Sequence, residues 1–253
     1  MGKKKFRYHY LSDDVVTTHT QNYHLSDTYS IFPTSLGSKI WSAIIRPTAS
    51  IISLIYTKLI MNVRIVGTNK LHTVAQQGYF IYGNHTQPFG DVILPLRIIP
   101  ARKYYAIGSQ ANWGIPILGK LVLPYFGLPV GQTVKQTANL IHAVKYIIHK
   151  NKVVVIYPEA HVWPYYTKIR PFPSTSMHFP IMLNAPSFVM TTTYSKPKYG
   201  MRPQITVYLD GPFYSDLHLS QKMAQQKLHD QIYLTMKKRA AQSNYEYYTY
   251  EKI

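Results

Sequence analysis

The chain of 253 residues contains no cysteine. That excludes disulfides, thiolate metal sites and a cysteine nucleophile, and it fits a reducing compartment. Acidic residues are scarce: ten Asp and Glu stand against 28 Lys and Arg, a formal net charge of +18. A chain this basic is expected to meet a polyanion, whether nucleic acid, anionic lipid headgroups or phosphorylated substrates. Long apolar runs are missing too. The uncharged stretch between Arg46 and Lys58 has eleven residues, whereas a membrane span needs about 20, so no spanning helix is expected. No apolar signal core follows the basic start Met1-Gly2-Lys3-Lys4-Lys5-Phe6, and position six lacks the Ser or Thr of a myristoylation signal. The chain is therefore expected to stay in the cytosol. No internal repeat and no low-complexity linker divides it. At this length one well-buried α/β domain with appendages suffices.

What the chain has in excess is tyrosine, 23 residues, with 9 Phe and 3 Trp. Tyr and Trp suit a surface that is apolar at one end and wet at the other, as at a bilayer interface. They equally suit base stacking, so composition leaves lipid and nucleic acid both open.

Three regions follow from the pattern. Residues 1–34 are polar, rich in Tyr, His, Ser and Thr, and read as an arm whose order depends on packing elsewhere. In residues 35–61, Ile40, Trp41, Ile44, Ile45, Ile51, Ile52, Leu54, Ile55, Leu59 and Ile60 recur mostly at helical spacing. Lys39, Arg46 and Lys58 interrupt them, and Pro47 is expected to kink the segment. Two readings stand side by side: an amphipathic segment lying in a membrane interface with its cations toward headgroups, and an ordinary helical pair packed on the core. Residues 62–253 form the third region. Strand-like runs at 63–66, 79–82, 104–107, 153–157, 188–193 and 205–209 alternate with helix-compatible segments at 91–98, 115–124, 134–150 and 217–241. This alternation predicts an α/β fold: one layered domain, a mostly parallel central sheet, flanking helices, and the interfacial helical segment in front. Ligands of such sheets bind at the carboxyl ends of strands.

Two motifs fall at such strand ends. Gly83-Asn84-His85-Thr86-Gln87-Pro88-Phe89-Gly90-Asp91 follows the run at 79–82. An imidazole there with a carboxylate in reach is held in one tautomer and steadied when it becomes imidazolium, which suits a general base acting on a substrate hydroxyl. The plainer reading is a turn-capping His with Asp91 favoured near a helix N-terminus. The second motif, Tyr157-Pro158-Glu159-Ala160-His161, ends the run at 153–157. Glu159 can accept hydrogen bonds from a substrate hydroxyl or hold a nearby cation in place. Trp163, Tyr165, Tyr166, Lys168 and Arg170 follow, aromatics mixed with cations as a phosphate on an amphiphile requires. Alone, this segment reads equally as a capping Glu and a solvated basic loop. Glu159 and His161 lack a third ligand, so no metal site is expected.

In order and separation the two motifs resemble those of the glycerolipid acyltransferases, the family that includes the bacterial lysophosphatidate acyltransferases. Asn84-His85 and Asp91 look like its Asn-His-x4-Asp turn, and Tyr157-Pro158-Glu159 looks like the start of its Phe-Pro-Glu-Gly-Thr-Arg segment. The likeness covers roughly residues 60–210. It departs in four places: five residues separate His85 from Asp91, Ala160 and His161 stand where the family has Gly-Thr, the following Arg is missing, and so is the Arg the family carries between the motifs, since residues 121–130 contain none. The resemblance implies acyl transfer from an acyl thioester, acyl-CoA or acyl-carrier protein, to a lysolipid or glycerolipid hydroxyl. It implies catalysis by His85 and Asp91, with Asn84, Glu159, Lys168 and Arg170 facing substrate. It implies no cofactor beyond the acyl thioester as co-substrate, and peripheral attachment to an anionic membrane surface at its cytoplasmic face.

Two other function classes remain at the level of sequence. One is a catalytically degenerate relative that binds membrane or lipid through its basic-aromatic surface. The other is a nucleic-acid binder, which has only charge and aromatics in its favour; no binding motif is recognisable and the basic residues are spread along the chain, so no nucleic-acid partner is expected. Lys222, Lys227, Lys237, Lys238 and Arg239 read as a solvated helix face. The tail Tyr245-Glu246-Tyr247-Tyr248-Thr249-Tyr250 suggests no function.

Overall fold

A computed structural model describes residues 4–16 and 22–253. Residues 1–3, with the start of the basic leader, and 17–21 of the expected arm lie outside the described residues. In chain order the elements are β1 (Lys5–Tyr8), α1 (Leu36–Ile55), β2 (Arg64–Val66), β3 (Tyr79–Gly83), α2 (Gly90–Ile93), β4 (Tyr104–Gly108), α3 (Leu123–Phe126) and β5 (Gly127–Pro129). There follow α4 (Val134–His149), β6 (Val153–Ile156), α5 (His178–Leu183), β7 (Ser187–Ser195), β8 (Gln204–Phe213), α6 (Gln221–Ala240) and β9 (Thr249–Lys252). Seven strands form the central sheet in the order β2-β8-β7-β3-β6-β4-β5. All neighbours are parallel except the antiparallel pair β7–β8. The fold is the expected α/β layer, a mostly parallel sheet flanked by helices.

The central strands read as unbroken apolar runs because helices and loops cover both of their faces. Alternation still assigns each side chain. Tyr79, Ile81, Val153 and Val155 share one layer with Phe188 and Met190, and Ile45 and Ala49 of α1 pack against it. Phe80, Tyr82, Val154 and Ile156 face the other layer, filled by Leu140, Val144 and Ile147 of α4 and Leu228, Ile232 and Met236 of α6. Thr133 starts α4 by accepting a hydrogen bond from the Gln136 N–H, as an N-cap threonine does.

The 35–61 segment departs from expectation. It is one helix rather than a pair: α1 runs on through Pro47. With the turn Tyr56–Ile60 it makes a 25-residue helix, Leu36–Ile60, long and apolar enough by length and composition to cross a membrane. Counting charges pointed elsewhere because Arg46 does not face outward. Its guanidinium donates to the Ala101 and Tyr125 carbonyls and to the Tyr105 hydroxyl at 3.0 Å. It also lies over the Tyr105 and Phe126 rings. Ser53 Oγ donates to the Ile93 carbonyl at 2.7 Å, and Trp41 Nε1 to the Leu121 carbonyl at 2.8 Å.

A second sheet was not foreseen. β1 and β9 pair in parallel, with Phe6 opposite Tyr250, so both ends of the chain meet. This small sheet packs on the loop that follows β6, at the edge of the central sheet where the two motifs lie.

Candidate active site

β3, β6 and β7 are parallel, so their carboxyl ends open on one edge. The His85 turn leaves β3 there and the Pro158 loop leaves β6. Gly83 is required at this exit: a Cβ on it would stand 2.5 Å from the Tyr157 ring. Tyr157 uses that space to stack on the His85 imidazole, with ring centroids 4.7 Å apart. Its hydroxyl donates to the Asp91 carbonyl at 2.6 Å.

His85 Nδ1 lies 2.8 Å from Asp91 Oδ2. The same oxygen accepts the Gln87 N–H at 2.9 Å. Facing a carboxylate oxygen, Nδ1 is the ring nitrogen placed to donate, which leaves Nε2 on the far side of the ring clear of this contact. The imidazole is 22% exposed and the carboxylate 2%, so the ring reaches the surface while its partner stays beneath. Burial pushes the Asp91 carboxyl above its ordinary range; the His85 hydrogen bond and charge, with the Gln87 and Thr86 N–H groups, pull it back. Burial also raises the Tyr157 phenol well above its ordinary value, reinforced by the Asp91 charge, so Tyr157 stays a neutral donor. The five-residue spacing thus closes the dyad. Pro88 and Phe89 loop outward, and Asp91 enters the first turn of α2.

Asn84 lies beside His85 but turns into the sheet. Its amide donates to the Thr192 carbonyl at 3.0 Å and accepts the Thr192 N–H at 2.8 Å, tying β3 to β7. Its buried side chain serves the scaffold in this geometry and presents no face to a substrate.

Glu159 fills the second of its two expected roles: it holds a cation. Oε2 accepts the His85 N–H at 3.0 Å and Arg170 Nη2 at 3.2 Å, and Oε1 accepts the Arg170 N–H at 2.9 Å. Arg170 is a correction to the sequence reading. Its side chain is 1% exposed; Nη1 and Nη2 donate to Glu159 and the carbonyls of His161 and Leu11, and the buried Nε has no partner among the described residues. It grips no surface phosphate in this arrangement. Burial raises Glu159 and lowers Arg170, and their mutual attraction opposes both shifts. Lys168 is exposed on the same loop. Among the described residues, no group of three His, Asp or Glu is placed to hold a metal ion.

Several contributors escaped the sequence reading. Tyr157 stands at the motif position that the resemblance fills with Phe, and only its hydroxyl signalled a further bond. Tyr194 on β7 receives Gln87 Nε2 at 2.8 Å and meets Thr86 Oγ1 at 2.7 Å, bracing the turn from below. No protein-family model matches this sequence, and no curated protein matches it. Among solved structures, the 1-acyl-sn-glycerophosphate (LPA) acyltransferase PlsC from Thermotoga maritima is similar to it. The TM-score is 0.58 and the identity 11%, over 83% of this chain and 86% of that one. In fold, this chain is similar to that acyltransferase.

Proposed function

We propose that this chain is an O-acyltransferase that moves a fatty acyl group from acyl-CoA or acyl-carrier protein to a hydroxyl of a lysophospholipid or other glycerolipid. The observation that carries the reading is the His85–Asp91 contact at 2.8 Å, on the carboxyl edge of the sheet with the imidazole reaching solvent. Similarity in fold to an LPA acyltransferase supports it.

In this reading His85 Nε2 takes the proton of the acceptor hydroxyl as its oxygen attacks the thioester carbonyl. The C–O bond forms and the carbonyl oxygen becomes an oxyanion. Collapse breaks the C–S bond, and His85 returns the proton to the thiolate, leaving ester and thiol. Asp91 accepts Nδ1–H throughout and stabilises the imidazolium. Base catalysis of this kind contributes about 10²–10⁴-fold, so the positioning of both substrates must supply much of the rest. Backbone N–H groups near the turn would hold the oxyanion, each worth about 3 kcal/mol when well placed. Lys168 remains the loop's exposed cation for an acceptor phosphate.

The protein would work from the cytoplasmic face of an anionic membrane as a peripheral enzyme. Exposed Ile40, Ile44, Ile51, Ile55 and Leu59 of the Leu36–Ile60 helix support this. Because Arg46, Ser53 and Trp41 fix the opposite side of the helix to the domain, we assign it a place along the interface rather than across the bilayer. The alternative is a catalytically degenerate relative that binds membrane or lipid: the closed His85–Asp91 contact speaks against it, and the departure from the family's phosphate segment after Glu159 speaks for it.

A transfer assay tests the proposal. Labelled acyl-CoA, and in parallel acyl-carrier protein, is offered with lysophosphatidate, lysophospholipid and lysoglycolipid acceptors, with His85→Ala alongside. Acylated product that falls by at least about 10³-fold in the variant is expected. Product unaffected by the variant removes His85 from the chemistry. No product in any lane, with vesicle binding intact, favours the membrane binder.

A further inference from the structure

The tyrosine-rich tail and the N-terminal arm have no place in the reaction, yet together they close over the Pro158 loop. That loop is tied to the His85 turn on the inside. Trp163 N–H donates to the His85 carbonyl at 2.9 Å, Tyr165 N–H to the Thr86 carbonyl at 2.8 Å, and Glu159 takes the His85 N–H. Its outside is tied to the chain ends. Trp163 Nε1 donates to the Asp13 carbonyl at 2.8 Å, Arg170 Nη1 to the Leu11 carbonyl at 3.4 Å, and the Tyr250 hydroxyl to the Pro164 carbonyl at 2.7 Å. The buried Trp163 ring is sandwiched. Tyr250 stacks on it at 5.0 Å with the planes 2° apart, Tyr8 lies at 4.8 Å, and the Arg170 guanidinium stands 4.9 Å from its centroid.

The loop needs such a hold. Ala160 at φ 64° and Tyr165 at φ 58° both occupy the left-handed region, which costs a residue with a Cβ and persists only where surrounding contacts over-determine it. The segment between them carries the Trp163 N–H that holds the His85 carbonyl, and Glu159, which takes the His85 N–H, stands immediately before it.

We propose that the β1–β9 sheet is a clamp that positions the base. Arg170 and Trp163 act as positioning residues, relaying the docking of both chain ends through Glu159 to the His85 backbone. The assignment rests on the proposed role of His85. It also explains two departures from the acyltransferase pattern: Ala160 tolerates a glycine-like conformation because the clamp enforces it, and Arg170 replaces the missing motif arginine as a buried strut. A site built this way completes itself only after residues 249–252 have paired with residues 5–8.

The test loosens the clamp far from the imidazole. Tyr250→Ala removes the stacking partner of Trp163 and the bond to Pro164, while Trp163→Phe keeps one ring and loses the bond to Asp13 with part of the stacking area on Tyr250 and Arg170. For each, circular dichroism and thermal melting verify the fold, and NMR follows the His85 ring titration and its Nδ1 proton. Turnover on the acceptor found above is split into kcat and KM. Tyr250→Ala is expected to lower kcat about tenfold or more, as a misplacement of the order of 1 Å does, with KM changing less than twofold. It should also shift the His85 titration and broaden the Nδ1 proton. Trp163→Phe should show the same changes to a smaller degree. A folded Tyr250→Ala protein whose His85 titrates as in the parent and whose kcat is unchanged overturns the proposal. If the parent transfers no acyl group, the proposed reaction fails, and the His85 titration still decides whether the clamp positions the ring.

Discussion

Two helices of twenty residues, α1 and α6, are built to opposite plans. α6 buries Ala224, Leu228, Ile232, Met236 and Ala240, one residue per turn, and turns its lysines to water. α1 buries only Ser53, and Leu36, Ile40, Ile44, Ile51 and Ile55 are exposed. Its attachment to the domain is largely polar: Arg46, Ser53 and Trp41 donate to carbonyls of the domain. Helical spacing of apolar residues therefore marks a face without saying what covers it. In α6 the covering is the sheet. In α1 the protein supplies anchors for one side and leaves the apolar side exposed; under the proposed interfacial placement each Ile side chain would gain about 1.5–3 kcal/mol on burial.

The sharpest way to break this contrast is to remove the same atoms from each helix. Ile232 is fully buried between α6 and the sheet, so Ile232→Ala should cost about 2–5 kcal/mol through lost transfer energy and a residual cavity. Urea denaturation of the purified protein measures it. A loss under about 1 kcal/mol would mean that the layer beneath α6 collapses to fill the gap, or that α6 is not a core helix.

α6 has one polar hold of its own, and it makes a smaller prediction. Asp210 on β8 accepts Arg239 Nε at 2.7 Å and Nη2 at 2.8 Å, and Lys70 Nζ at 2.8 Å. The Arg239 bonds, followed by Lys70, draw the Asp210 carboxyl below its ordinary range against the opposing effect of burial. A depressed carboxyl stabilises the fold fully above its unfolded value, about pH 4, and loses that contribution as pH falls through the lower folded value. Asp210→Asn should thus cost about 1 kcal/mol at pH 7, most of the pair's strength being screened at this half-open position. The difference from the parent should shrink below pH 4. A difference that stays undiminished as pH falls from about 5 to 3 would show that the variant disturbs packing instead.

Legibility in the sequence followed the same division. The strand runs at 79–82, 104–107, 153–157 and 188–193 were readable because strands covered on both faces need continuous apolar side chains, and Gly and Pro punctuate their ends. The helix-compatible segment at 217–241 contains α6, but only its solvated lysine face was read and not its docking through Leu228, Ile232 and Met236. His85 and Asp91 were legible because a strand end and a helix start lie within one turn of chain. β1 and β9 were not, since Lys5 pairs with Thr249 and a pairing across almost the whole chain leaves no local pattern. The Glu159–Arg170 pair was hidden for a related reason: ten residues lie between the partners, and left-handed turns at Ala160 and Tyr165 bring them back together. Asn84 was expected to face substrate only through the resemblance of Asn84-His85 to the family turn, whereas its amide meets Thr192 on β7. Arg46 was counted as a surface charge because no pattern in the sequence places three acceptors around it.

The smallest expected effect on stability is the most informative about α1. Ile44 and Ile51 lie two turns apart on its exposed face, and the double substitution Ile44→Ser, Ile51→Ser touches no buried contact. Stability in solution should change by no more than about 0.5 kcal/mol per site, in contrast with Ile232→Ala. Binding to vesicles of mixed neutral and anionic lipid should nevertheless fall at least about tenfold, since two apolar side chains lose their transfer energy. Sedimentation of vesicles with the parent and the variant measures the loss. If stability fell by several kcal/mol, the outer face of α1 would be buried by another copy of the chain and the two helices would share one plan. If stability held and vesicle binding were unchanged, the apolar face would not meet lipid, and the charge of the domain alone would have to carry any attraction to the membrane.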